Sequence, residues 1–274
     1  MGILTYNGRP LDCGGYIQPF SYTSAGMRDG PSAEGRYIWH DRNGRCFVNK
    51  GSTSKMFIHS ENSWSNVSAS ISADGRYIWS DGSYNYYSNG TSQYRVVYGG
   101  GDLMFGAKTW TGLTSFWGTY VWSDGNNHYY SDGSNHYVLD VSNSAWSQKT
   151  WNGFTAFFGQ GIWSDGNNYY YSYNSYQYVL DISNSTWTQK TWIGLTSFYG
   201  GDVWKIGEHI YYSSGNNHYS LDIATSTWKP VYPGISFSGT DVWSDNGTTY
   251  VSTPTYILSE NVIPENNFIS YETA

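Results

Sequence analysis

The chain has 274 residues, of which 19% are aromatic and 13% charged, with a net charge of −7. That aromatic load excludes a disordered chain, and no run approaches the roughly 18 apolar residues that a membrane-spanning helix needs. The acidic balance argues against nucleic acid as the main partner, because phosphate binding needs clustered Lys and Arg.

The first residues, Met1-Gly-Ile-Leu-Thr-Tyr-Asn-Gly, lack a basic segment followed by an apolar one, so no secretory signal is expected there. Residues 1 to 55 carry seven basic against four acidic residues, a local +3 that leaves −10 on the rest. Cys13 and Cys46 permit at most one bridge, too little to be the main support of so aromatic a fold.

An aliphatic residue followed by Trp recurs along the chain at Trp39, Trp79, Trp122, Trp163, Trp204 and Trp243, with spacings of 40, 43, 41, 41 and 39. A period near 41 without helical patterning is the length of one four-stranded propeller blade. Six anchors predict an all-β, six-bladed β-propeller of four-stranded antiparallel blades. In the third copy Val121-Trp-Ser123 is the first strand and Asp124-Gly-Asn-Asn127 its turn. His128-Tyr-Tyr-Ser131, His136 to Val141 and Ala145 to Trp151 follow as the second, third and fourth strands.

Leu139-Asp-Val-Ser-Asn-Ser-Ala-Trp146 repeats as Leu180 to Trp187 and Leu221 to Trp228. This element, a strand ending in Asp, a polar turn and then Trp, resembles the Kelch-repeat β-propellers. The resemblance covers residues 35 to 260 and implies their bladed ring. Two departures stand out: the family's double glycine is replaced by Tyr130-Ser131, and its Tyr before the Asp is Leu139, Leu180 or Leu221.

Ring closure is expected from the N-terminus. Thr5-Tyr6-Asn7-Gly8 matches Thr150-Trp151-Asn152-Gly153, and the last unit lacks a fourth strand. Residues 2–6 are therefore expected to complete the last blade beside residues 255–259. Residues 7–35 then form an irregular insert, residues 1–260 a single propeller, and residues 261–274 a tail.

In such a meander the loops between blades share one face with the turns joining second and third strands. The inter-blade loops are long and aromatic, and loops on a rigid scaffold are where binding residues concentrate. Phe116, Phe157 and Phe198 are constant and read as core, whereas Trp117, Phe158 and Tyr199 vary and are expected to bind ligand, with Phe237 beside them. Asp132, Asn135, Tyr173 and Asn217, from the turns of that face, join the set. The Asp-Gly-Asn-Asn turns read as turn geometry rather than calcium loops, because no bidentate Glu follows at the spacing calcium needs. No zinc spacing, nucleophile elbow or phosphate loop occurs, so no metal, cofactor or catalytic residue is expected.

The pattern suggests a non-enzymatic recognition protein. Aromatic, Asn- and Ser-rich surfaces suit carbohydrate, so the expected partner is a glycan or cell-surface receptor. The composition also resembles blades on bacteriophage tail fibres and other surface appendages, which implies a virion or appendage setting. Arg9, Arg28 and Arg36 in and beside the basic insert are expected to dock other virion or scaffold proteins. The competing reading is a structural or intracellular protein–protein interaction propeller of the Kelch kind. The sequence leaves the compartment open.

Overall fold

The computed structural model describes residues 5–6, 9–10, 20–24 and 257–262, and residues 35–252 apart from 62, 232, 234 and 246. Each repeat becomes one antiparallel meander because short alternating segments are separated by turns that tolerate positive φ, such as Gly125 and Gly166. The third repeat runs Val121–Ser123, His128–Asp132, Asn135–Asp140 and Ala145–Gln148, and its fourth strand stops three residues short of the expected end.

The expectation of six equivalent blades is corrected. Five complete blades, each of four consecutive antiparallel strands, span residues 38–66, 78–107, 121–148, 162–189 and 203–230. The seam between the last of these and the first is filled by a composite sheet, in which Val242–Asp245, Thr248–Ser252 and Ile257–Val262 are completed by Phe20–Ser24. Residues 2–4 of the expected closing strand lie outside the described residues, and its described part, Thr5–Tyr6, is not in that sheet. Thr5–Tyr6 pairs instead with Arg9–Pro10, with Tyr6 opposite Arg9 and Thr5 opposite Pro10. Asn-Gly is a strong hairpin signal and overrides the similarity to residues 150–153. The strand that closes the seam comes from inside the expected insert, with Phe20 opposite Val262 and Ser24 opposite Leu258.

The core lies between blades rather than within any one of them. Trp122 and Tyr129 of one blade pack with Trp151 and Phe157 of the following loop and with Tyr171, Leu180 and Trp187 of the next blade. The same set recurs one repeat earlier around Trp79, Trp110 and Trp146 and one later around Trp163, Trp192 and Trp228. At the seam Trp243 and Tyr250 pack against Phe57 and Trp64 of the first blade. Burying rings of this size is the main favourable term, at about 25 cal/mol per Å² of apolar surface removed from water.

The anchor Trp Nε1 finds a fixed buried partner nine residues on. Trp79, Trp122, Trp163, Trp204 and Trp243 donate to Ser88, Ser131, Ser172, Ser213 and Ser252 at 2.7–3.1 Å. In the first blade Trp39 donates to Asn49 at 2.7 Å. The serine that stands where the Kelch pattern has glycine is therefore the hydrogen-bond acceptor that lets a buried indole N–H be satisfied.

Candidate functional site

Short 3-10 turns precede the first strands at Gly35–Tyr37, Gly75–Tyr77, Gly118–Tyr120, Gly159–Gly161, Gly200–Asp202 and Gly239–Asp241. Each turn touches the next, and the last touches the first, so they circle the axis. The leading glycine is needed for that approach. A Cβ on Gly75, Gly118, Gly159 or Gly239 would lie 1.9–2.1 Å from a carbonyl oxygen of the preceding turn.

The second residue of every turn faces a cavity of about 630 Å³ on the axis: Arg36, Arg76, Thr119, Gln160, Gly201 and Thr240. Tyr77, Trp117, Tyr120 and Tyr199 complete the described lining. The third residues divide the ring into two halves, with Tyr37, Tyr77 and Tyr120 on one side and Gly161, Asp202 and Asp241 on the other. Trp117 packs on Tyr77 with centroids 5.4 Å apart, and Phe158 packs on Tyr120 at 5.7 Å. Gly201 is small for a reason, since a Cβ there would meet the Tyr199 ring at 2.6 Å and the Gln160 carbonyl oxygen at 3.0 Å.

The electrostatics are uneven too. Both charged residues of the described lining are arginines. Arg76 is bonded to Asp74 at 2.6 Å, and the guanidinium groups of Arg36 and Arg76 lie 5.3 and 5.1 Å from the centroid of the Tyr37 ring, with the Lys50 ammonium 5.2 Å from it. Burial pushes the Tyr120 and Tyr199 phenols up, so both are hydrogen-bond donors at neutral pH. Across the ring, burial also pushes the Asp202 carboxyl up against the opposing effect of the Ser238 hydroxyl, which donates to it, and of the Thr240 amide.

Of the residues expected to bind ligand, Trp117, 39% exposed, and half-buried Tyr199 line the cavity. Tyr173 is exposed and meets the Tyr199 ring edge-on at 5.9 Å, and the strand pairing Tyr173 to Tyr199 places turn and inter-blade loop on one face as expected. Phe158 is exposed outside the described lining. Asp132 accepts from the Tyr130 hydroxyl at 3.0 Å, and Asn135 and Asn217 are exposed at the first positions of the third strands of their blades, outside that lining. Phe237 is corrected to core: it is 3% exposed and occupies the constant position of Phe116, Phe157 and Phe198, while Ser238 holds the variable one. Arg36 of the expected docking set lines the cavity, the Arg9 side chain and Arg28 lie outside the described residues, and so does Cys13.

Sequence reasoning missed Arg76, Tyr77, Thr119, Tyr120, Gln160, Gly201 and Thr240. The signal was present as a glycine four residues before every anchor Trp, followed by a residue that changes from copy to copy. The Asp turns carry no ligand geometry: Asp124 Oδ1 accepts the Asn126 and Asn127 amides at 2.9 and 2.7 Å, and Tyr129 donates to its Oδ2 at 2.8 Å. His136 and His218 tie the third strand of a blade to the next inter-blade loop through the carbonyls of Thr155 and Ile235, at 2.9 and 3.0 Å. No helix among the described residues is long and apolar enough to cross a membrane.

No family model and no curated protein matches the chain. In three dimensions it is similar to a structural-genomics protein of unknown function from Bacteroides thetaiotaomicron, with 12% identity, TM-score 0.52, and coverage of 93% of this chain and 79% of that one. The extracellular domain of a putative one-component system from the same organism aligns at 8% identity and TM-score 0.48, over 87% of this chain and 35% of that one. PorZ, a bacterial surface component of the type-IX secretion system of Porphyromonas gingivalis, aligns at 13% identity and TM-score 0.47, over 78% and 29%. The chain thus spans about a third of the length of the extracellular domain and of PorZ. At these identities the likeness is one of β-propeller fold.

Proposed function

We propose that this propeller is a non-enzymatic recognition protein that binds carbohydrate in its axial cavity, as part of a surface appendage or a phage virion. The observation that carries the reading is the contrast between repeated and unrepeated positions. The blades reuse the same Trp, Ser and Phe at fixed offsets, yet the axis-facing residue changes through Arg, Arg, Thr, Gln, Gly and Thr. A ring that needed only to fold has no use for that variety at the hollow its turns share. Aromatic faces beside hydroxyl, amide and guanidinium donors suit a sugar, whose ring has apolar faces and a polar edge, and the volume falls within the range of small-ligand sites. The Tyr-, Asn- and Ser-rich composition and the Kelch-like Leu-Asp…Trp element support the appendage setting.

The test is binding of the labelled protein to a broad glycan array, with Trp117→Ala and Tyr199→Ala alongside. Selective binding that either substitution abolishes supports the reading. No binding to any glycan by a correctly folded protein overturns it. One observation favours docking to a protein instead: Val141, Ile182 and Ile223 are exposed at the same offset on the face opposite the cavity, a repeated apolar row.

A further inference from the structure

We infer that the ligand of the axial cavity is anionic, a saccharide unit carrying a carboxylate that is received between Arg36 and Arg76. The inference rests on the carbohydrate reading and deepens it. Arg36 and Arg76 hold the same position on adjacent turns, and both line the cavity with their guanidinium groups gathered at one ring, that of Tyr37. Tyr37, the buried ring beneath them, has Arg36, Lys50 and Arg76 all 5.1–5.3 Å from its centroid. Two of these three cations, Arg36 and Arg76, are the only charged residues of the described cavity lining, in a chain of net charge −7.

Asp74 anchors rather than cancels the pair. It caps its turn by accepting the Arg76 amide at 3.0 Å, and it takes the Nε–Nη2 edge of Arg76 at 2.6–3.1 Å, which fixes that guanidinium and leaves its Nη1–Nη2 edge to receive a ligand. A planar, pre-positioned guanidinium is the group suited to receive a carboxylate through two parallel hydrogen bonds. The remainder of the wall is neutral. Thr119, Gln160 and Thr240 offer hydroxyl and amide groups for sugar hydroxyls, and Trp117 offers a ring face. A site of this make-up distinguishes an acidic sugar from its neutral counterpart by charge on one wall and by stacking on another.

The experiment uses the full chain with four soluble probes: 3′-sialyllactose, lactose, tri-galacturonate and hexaglutamate. Titrations by calorimetry compare the wild type with Arg36→Gln, Arg36→Lys and Trp117→Ala at low and high salt. The inference expects at least one acidic saccharide to bind roughly 10-fold or more tightly than lactose. Arg36→Gln should remove most of that advantage, Arg36→Lys should restore part of it, and salt should weaken it. Lactose bound as tightly as the acidic sugars, with Arg36→Gln silent and Trp117→Ala damaging, overturns the anionic ligand while leaving a saccharide site standing. Binding of hexaglutamate alone, or of no probe, overturns both readings.

Discussion

A methyl group on Gly159 would stand 2.0 Å from the carbonyl oxygen of Tyr120. That contact repeats between neighbouring turns around the axis, and it sets both the closeness of the ring and the position of the residue that follows each glycine.

Gly159→Ala must therefore push two turns apart. Overpacking of this kind costs about 1–3 kcal/mol or more. Gly106→Ala, at an exposed strand position with nothing within 4 Å of the new Cβ, is the control and should stay within about 0.5 kcal/mol of wild type. Urea denaturation of the two variants checks the contrast, and equal stabilities would show that the ring yields more easily than the geometry implies.

Ser172 accepts from Trp163 Nε1 at 2.9 Å and donates to Gln177 Oε1 at 2.6 Å, all three side chains being buried. Ser172→Ala leaves both partners unsatisfied, at a cost of about 1–3 kcal/mol each before relaxation. The expected result is a lower urea midpoint with an unchanged slope.

Acid should unfold the protein in two stages. Burial lowers His136 and His218 below the usual imidazole range, against smaller opposing effects of the carbonyls they face. The unfolded chain then takes up protons first, so stability present above about pH 6.5 is lost as pH falls through the folded values. His136→Gln and His218→Gln, which copy the native Gln177 of the intervening blade, should flatten this first stage. The second stage begins near pH 4. There the carboxylates hydrogen-bonded in their turns, among them Asp140 lowered to about 2 by Ser142 and Asn143, must be protonated. Asp124 and Asp165 act with the same sign, their amide and tyrosine partners outweighing burial. Melting temperatures from pH 3 to 8 would show both stages, and a single transition near pH 4 would remove the histidine contribution.

Phe237→Ala should cost about 3–5 kcal/mol as a core truncation, whereas Phe158→Ala should cost far less, because that ring is 37% exposed. Similar thermal losses in the two would contradict their assignment to core and surface.

The period of the anchor tryptophans made the blade architecture legible, because a buried ring recurs wherever the same strand packing recurs. The four strands of the third repeat could be placed to within three residues for the same reason. Closure was not legible by homology to the repeat: Thr5–Tyr6 paired with Arg9–Pro10 instead, and Phe20–Ser24, with no repeat signature, took the seam. The site was half legible. Trp117 and Tyr199 stood out by varying at a fixed offset, but Arg76, Gln160 and Thr240 became neighbours only when six turns separated by about 40 residues met on one axis. Phe237 was misplaced by one position because Ser238 broke the aromatic pair that marked the other loops.

The central claim is that recognition happens in the axial cavity, and filling the cavity tests it most directly. Thr240→Trp places an indole in the hollow from a turn whose backbone already accepts a side chain, and Val141→Ser alters only the opposite face. Both variants would be compared with wild type on the glycan array, with folding checked by near-ultraviolet circular dichroism. The account predicts that folded Thr240→Trp loses the glycans that wild type and Val141→Ser retain. Unchanged glycan binding by Thr240→Trp would contradict it.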